Sequence, residues 1–131
     1  MEFRHYAPHG AGFVYLVHDR DADLYKVGGT MRPNDRLRQL AYGTVNELVL
    51  LWVIPTNDHE RLEREWHEHY ARRRVFSEWF RLSPDQVSHF KSVRSVCYRD
   101  ADPDAVVPDW NPFDPPRHKM TRRTLSLPIR V

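Results

Sequence analysis

A chain of 131 residues has room for one ordinary domain and a single catalytic unit, and 40% hydrophobic with 12% aromatic residues is enough to bury a core. A formal charge of +2 and a pI near 8.9 are too mildly basic to announce a nucleic-acid partner by composition. The one cysteine, Cys97, excludes an internal disulfide, and without a CxxC partner it makes no structural zinc site.

Cys97 itself reads as a small buried apolar residue. No basic start leads into an apolar run, and the longest apolar stretch, residues 48–54, is strand length. A cytoplasmic protein without a membrane segment is the expectation.

In chain order, Gly12-Phe13-Val14-Tyr15-Leu16-Val17 sets Phe13, Tyr15 and Val17 on one side and Val14 and Leu16 on the other, which predicts a strand. Polar residues 18–23 make a turn, and Leu24-Tyr25-Lys26-Val27-Gly28 returns as a second strand that Gly28-Gly29-Thr30 ends. Pro33 stands at a helix start. Leu37, Leu40 and Ala41 repeat at helical spacing until Gly43 stops the run. Residues 48–54 then suit a strand buried on both faces. Asn57 is placed to cap the next helix, with Glu60 three residues on, and Leu62, Trp66 and Tyr70 form its apolar stripe to about Arg72. Residues 77–82 read as a brief extended piece, and Ser83-Pro84-Asp85 starts a last helix carrying Val87, Phe90 and Val93. The sum is an α+β domain over residues 10–98, a three-stranded antiparallel or mixed sheet flanked by helices in the order β-β-α-β-α-α.

From Arg99 the periodicity is lost. Six of the ten prolines lie beyond it, and five Asp between residues 100 and 114 give way to Arg117, Lys119, Arg122, Arg123 and Arg130. Residues 99–131 are therefore expected to be an extended tail, acidic and then basic, that the core fold does not need. Trp110 and Phe113 are two large aromatics within it that can dock on the domain or on a partner.

Several residues invite a chemical reading. Tyr15 lies mid-strand and reads equally as a core tyrosine. Lys26 faces away from Tyr25, as an exposed strand lysine would too. Arg36 stands in a first helical turn after a Gly-Gly-Thr loop, where free N–H groups and a guanidinium together favour phosphate; pairing with Asp35 is the plainer alternative. Glu63 shares one helix with Glu60, Glu65 and Glu68, which on their own read as a solvated charged face. His59, His67 and His69 do not have the HExxH spacing of a zinc site.

Taken together, Phe13-Val14-Tyr15, Tyr25-Lys26-Val27-Gly28, Arg36, Glu63 and the closing Glu78-Trp79-Phe80 resemble the GIY-YIG nuclease superfamily. The likeness is greatest to its phage-type branch, the one related to a meiotically up-regulated yeast gene, and it covers residues 12–82. It implies a catalytic set of Tyr15, Lys26, Arg36 and Glu63. Glu63 would be the sole protein ligand of Mg²⁺ or Mn²⁺, Tyr15 would take the proton from the attacking water, and Arg36 would meet the phosphoryl charge. Lys26 departs from the family's usual tyrosine; Leu40 stands where many members have His or Tyr, and Glu78 and Trp79 occupy the region of a late asparagine.

The expected partner is DNA, whether single-stranded, branched or duplex, with RNA open. Gly28, Gly29, Thr30, Arg32, Arg38, Arg72, Arg73 and Arg74 would touch its backbone; for the Arg run a solvated basic face is an equal reading. The implied protein is a metal-dependent endonuclease, monomeric or transiently dimeric. The alternative is a binding module of the same fold that acts as a phage or host regulator.

Overall fold

Alternation along the first two strands builds the centre of the sheet. In the computed structural model, which describes residues 10–113, β1 (Gly12–Asp19) and β2 (Leu24–Thr30) form an antiparallel hairpin with Tyr15 opposite Gly28 and Val17 opposite Lys26. The buried Asp19 carboxylate fixes its turn by accepting the N–H groups of Asp21 at 3.0 Å and Ala22 at 2.9 Å, and the side-chain amide of Asn46 at 2.9 Å. Gly28, Gly29 and Thr30 continue the strand and are not a loop after it.

α1 (Pro33–Tyr42) starts on Pro33 and ends at Gly43 as the punctuation predicts. β3 (Leu48–Thr56) pairs antiparallel with β1, with a bulge between Leu16 and Val17. It is an edge strand, so Val49, Leu51 and Trp52 are only half-buried, not enclosed on both faces. Pro55, which donates no hydrogen bond, is compatible with that edge.

α2 (His59–His69) is capped by Asp58, whose carboxylate accepts the Arg61 N–H at 3.2 Å. Asn57, expected to cap, is instead buried and clamps the Tyr98 backbone by two bonds of 2.9 Å. A short 3-10 turn, Ala71–Arg73, leads into β4 (Arg74–Phe76) and β5 (Trp79–Phe80). Ser83 caps α3 (Pro84–Lys91) in a reciprocal box with Gln86.

The sheet thus has five strands in the order β3-β1-β2-β5-β4, every ladder antiparallel, where three were expected. The two extra strands have three and two residues, too few to show a period.

Two apolar layers result. Val14, Leu16, Val27 and Ile54 meet Leu62 and Trp66 of α2, Tyr70 at its C-terminal cap and Phe90 of α3. On the other face Phe13, Tyr15, Val17, Leu50 and Val53 meet Leu37 of α1. The acidic segment, to Phe113, forms no helix or strand but lies along the domain. Asp100 pairs with Arg61 at 2.8 Å, Trp110 sets its edge on Phe13 at 5.4 Å, and Phe113 stacks on Trp52 at 5.1 Å. The Asn111 amide donates to Val53 O at 3.0 Å, so the segment also covers part of the open β3 edge. Cys97 is exposed, contrary to its reading as a core residue. The basic run beyond Pro116 lies outside the described residues, and no described helix is long and apolar enough to cross a membrane.

Candidate functional site

β2 pairs with β1 along its whole length but with β5 only at Tyr25 and Lys26. Beyond Lys26 its outer edge is met by single groups: Val27 N–H donates to Glu78 O at 3.1 Å, and the His67 ring reaches Val27 O at 2.7 Å. A carbonyl only accepts, so His67 carries its proton on Nε2 in that bond. This short free edge is where charged side chains from both faces of the sheet converge.

The two adjacent glycines make that possible. A Cβ on Gly28 would collide with the Tyr15 hydroxyl, whose ring crosses the strand on the α1 face. On the opposite face a Cβ on Gly29 would stand 3.0 Å from both Glu63 Oε1 and His59 Nδ1. Alternation along β2 therefore assigns one glycine to each face, and any larger side chain would push a site residue away.

Lys26 shares the Tyr15 face and is only 5% exposed. Its ammonium lies 2.8 Å from Glu78 Oε1 and 5.6 Å from the centre of the Trp79 ring. The Glu78 side chain is aimed by a tight turn between β4 and β5 in which Ser77 adopts a left-handed φ of 51°. Glu63 projects from α2 on the other face, with Oε2 3.7 Å from His67 Nε2.

Burial pushes the Glu63 carboxyl up to about 7, helped by a proton shared with Glu78 and by the Glu78 charge, while Lys26 pulls it down. Glu78 shifts the other way: burial would raise it, but the Lys26 ammonium and the shared proton bring it below the ordinary carboxylate value. The two carboxyls of this pair are thus shifted in opposite directions, Glu63 upwards and Glu78 downwards.

Tyr15 is completely buried, and burial pushes its phenol up to about 12 against the lowering influence of Arg36. The Arg36 guanidinium is close enough to that hydroxyl for each to shift the other, yet no bond of ordinary geometry joins them, and the hydroxyl is a buried oxygen without a partner. Arg36 also reaches Gln39 Oε1 at 3.3 Å, and it is Arg38, not Arg36, that pairs with Asp35, at 2.8 Å. His59 Nδ1 is likewise buried and unpartnered, and burial lowers the pKa of its ring.

The residues singled out from sequence divide accordingly. Tyr15, Lys26, Arg36 and Glu63 come from β1, β2, α1 and α2 to one place, with Gly28 and Gly29 between them. Thr30 accepts the Arg32 N–H at 3.0 Å, and Arg32 is exposed just before α1. Arg72 is exposed, and Arg73 donates to Arg81 O at 2.6 Å. Arg74 bonds Ser77 O, covers the Phe80 ring and borders an open cleft of about 400 Å³ shared with Glu60, Glu63, Arg64, His67 and Glu68. The Arg run is thus not one patch.

Sequence reasoning did not assign Glu78, His67 or His59 to the site. The only signal for Glu78 was its place in Glu-Trp-Phe; the two histidines were visible only as neighbours of Glu63 on one helix face.

Among the described residues no group of three or more His, Cys, Asp or Glu side chains is arranged to enclose a metal ion. The donor set fits only a cation that keeps most of its hydration: Glu63 offers carboxylate oxygens at an open cleft, while burial and Glu78 oppose the charged form that would bind it.

A family model described as the T5orf172 domain matches residues 12–95, from the first residue of β1 to just past α3. No curated protein and no solved structure gives a match.

Proposed function

The chain belongs to the T5orf172-domain family, and on that premise we propose that it is an endonuclease hydrolysing DNA phosphodiester bonds by in-line attack of water, with Mg²⁺ or Mn²⁺ as cofactor. The family is phage-associated and nuclease-like, which makes nucleic acid the natural partner. One observation carries the finer reading: Tyr15, Lys26, Arg36 and Glu63 leave four different elements and meet at one free strand edge cleared by two glycines. The same placement is consistent with the GIY-YIG resemblance.

Each residue has a role its surroundings support. Arg36 binds phosphoryl oxygens and offsets charge as it develops on them. Lys26, paired with Glu78, holds that carboxylate in place beside the site and keeps the pair's net charge near zero. Tyr15 Oη, having released its own proton to solvent, would accept the proton of the attacking water as a phenolate; burial opposes that ionisation and Arg36 favours it. Glu63 would hold the divalent ion, which when bound supplies Lewis-acid charge to the phosphodiester oxygens.

Complete burial of Tyr15 favours one other reading, a nucleic-acid-binding module of the same fold with little or no cleavage. Circular single-stranded and supercoiled DNA, incubated with and without Mg²⁺ or Mn²⁺, separates the two. Glu63→Gln and Tyr15→Phe should lower cutting by orders of magnitude while binding in EDTA is kept, and Glu65→Gln, outside the site, should cut normally. A wild type that binds but never cuts leaves the binding module.

A further inference from the structure

The line of cross-strand partners that contains Lys26 does not stop at the proposed site. Val17 lies opposite Lys26, Lys26 opposite Trp79, and Trp79 opposite Phe76, one residue from each of four neighbouring strands. Directly opposed residues share a face, so this row crosses the α1 side of the sheet. Exposure rises along it: Val17 is buried, Lys26 is 5% exposed, Trp79 is half-buried and Phe76 is 56% exposed.

Phe76 belongs to neither apolar core, and it lies on the terminal strand of the sheet. Exposed Arg72 and Arg73 precede its hairpin and exposed Arg81 follows it, while Arg74 lies across from Phe80 and turns to the α2 side of the sheet; the hairpin's one acid, Glu78, is turned inward onto Lys26. An uncovered aromatic ring on a segment flanked by exposed arginines, about 10 Å or two strand spacings from Lys26, has the chemistry of a base-stacking platform.

We propose that Phe76, with Trp79 behind it, stacks unpaired bases of the strand whose phosphate lies over Lys26 and Arg36, so that the preferred substrate is single-stranded or frayed next to the cleaved bond. A fully paired duplex keeps its base faces against one another and has none to offer this ring; a single strand does. The flanking exposed arginines favour a nucleic acid over an apolar protein segment. The inference rests on the preceding reading only for the location of the scissile phosphate.

Full-length protein in EDTA, titrated into a single-stranded oligodeoxynucleotide containing 2-aminopurine and into the blunt duplex of the same sequence, tests the platform without cleavage. Stacking should quench the 2-aminopurine in the single strand. Phe76→Leu, which keeps an apolar side chain at an exposed site, should abolish the quench and weaken single-strand affinity about tenfold, or about 1.4 kcal/mol, while duplex affinity stays within about twofold. Val75→Ala should change neither. Unchanged single-strand affinity in Phe76→Leu, or an equal loss on the duplex, overturns the proposal. The two readings fail separately: a wild type with the Phe76-dependent preference but no cutting in Mg²⁺ loses the nuclease and keeps the platform. Normal cutting with an unaltered single-strand Kd in Phe76→Leu does the reverse.

Discussion

The two faces of the sheet are built on opposite terms. Against α2 and α3 the layer is closed: Trp66, Tyr70, Phe80 and Phe90 interlock, with Trp66 and Phe90 ring centres 4.7 Å apart. Against α1 the cover is thinner, one short helix supplying Leu37 plus an irregular acidic segment supplying Trp110 and Phe113. The buried lysine and the crowded tyrosine are both on that second face. Stability is concentrated where the helices are, and charged groups are tolerated where the second layer is incomplete and partners such as Glu78 can reach them.

The closed face carries the largest cost. Phe90→Ala should cost about 3–5 kcal/mol of unfolding free energy, because a fully buried ring leaves a cavity; urea unfolding measures it, and a loss under 1 kcal/mol would mean that the α3 layer is not a true core. Gly28→Ala comes next. Its new methyl has to displace Tyr15, so about 1–3 kcal/mol should be lost together with any cutting activity, whereas an equally buried but uncrowded position would lose none of the activity. Trp110→Ala, removing a half-exposed ring from Phe13, should cost about 1–2 kcal/mol by the same denaturant measurement. No change there would return the acidic segment to the role of a free tail.

The smallest expected effect is on pH. Glu63 binds its proton more tightly in the folded chain than at its ordinary value of 4.5, so between about 4.5 and about 7 the native state holds more protons than the unfolded one. The contribution of this carboxyl to stability in metal-free buffer should therefore fall as pH rises through that window. Glu78 is shifted downwards, and its stabilisation is lost only as pH falls below the ordinary carboxylate range, so the two do not overlap. The His59 ring, lowered by burial, acts with the opposite sign in the same range, so thermal melts at pH 5 and pH 7 isolate Glu63 as a difference: the stability of wild type relative to Glu63→Gln should decline as pH rises. Mg²⁺, if Glu63 holds it, should raise the melting temperature more at pH 8 than at pH 5.5.

Most of the architecture was legible because the sequence punctuates it. The alternation around Tyr15, Pro33 before α1 with Gly43 after it, and the Ser83 capping box each state an element by a local rule. What stayed hidden depends on distance. β4 and β5 exist because β2 offers them an edge, and the acidic segment docks through two aromatics that obey no period. Gly28 and Gly29 looked like a phosphate loop, yet they are strand residues selected by what lies across them. The four-residue set came together from a resemblance, whereas Glu78, distant in sequence from its partner Lys26, became a member only through the fold.

The Asp19 turn has a bearing on all of this that goes beyond holding a loop. Side chains alternate along a strand, so a hairpin that closed one residue out of step would set Tyr15 across from Val27 or Gly29 and turn Lys26 to the wrong layer. Glycine pairs are permissive partners, and nothing in Gly28-Gly29 itself rejects such a slip. Asp19 accepts from two turn amides and from Asn46 at once, which fixes where the chain reverses after β1 and so where β2 begins to pair. The carboxylate at the far end of the hairpin thereby acts as an index pin: fidelity of strand alignment, decided there, determines whether the four site residues ever face the same edge.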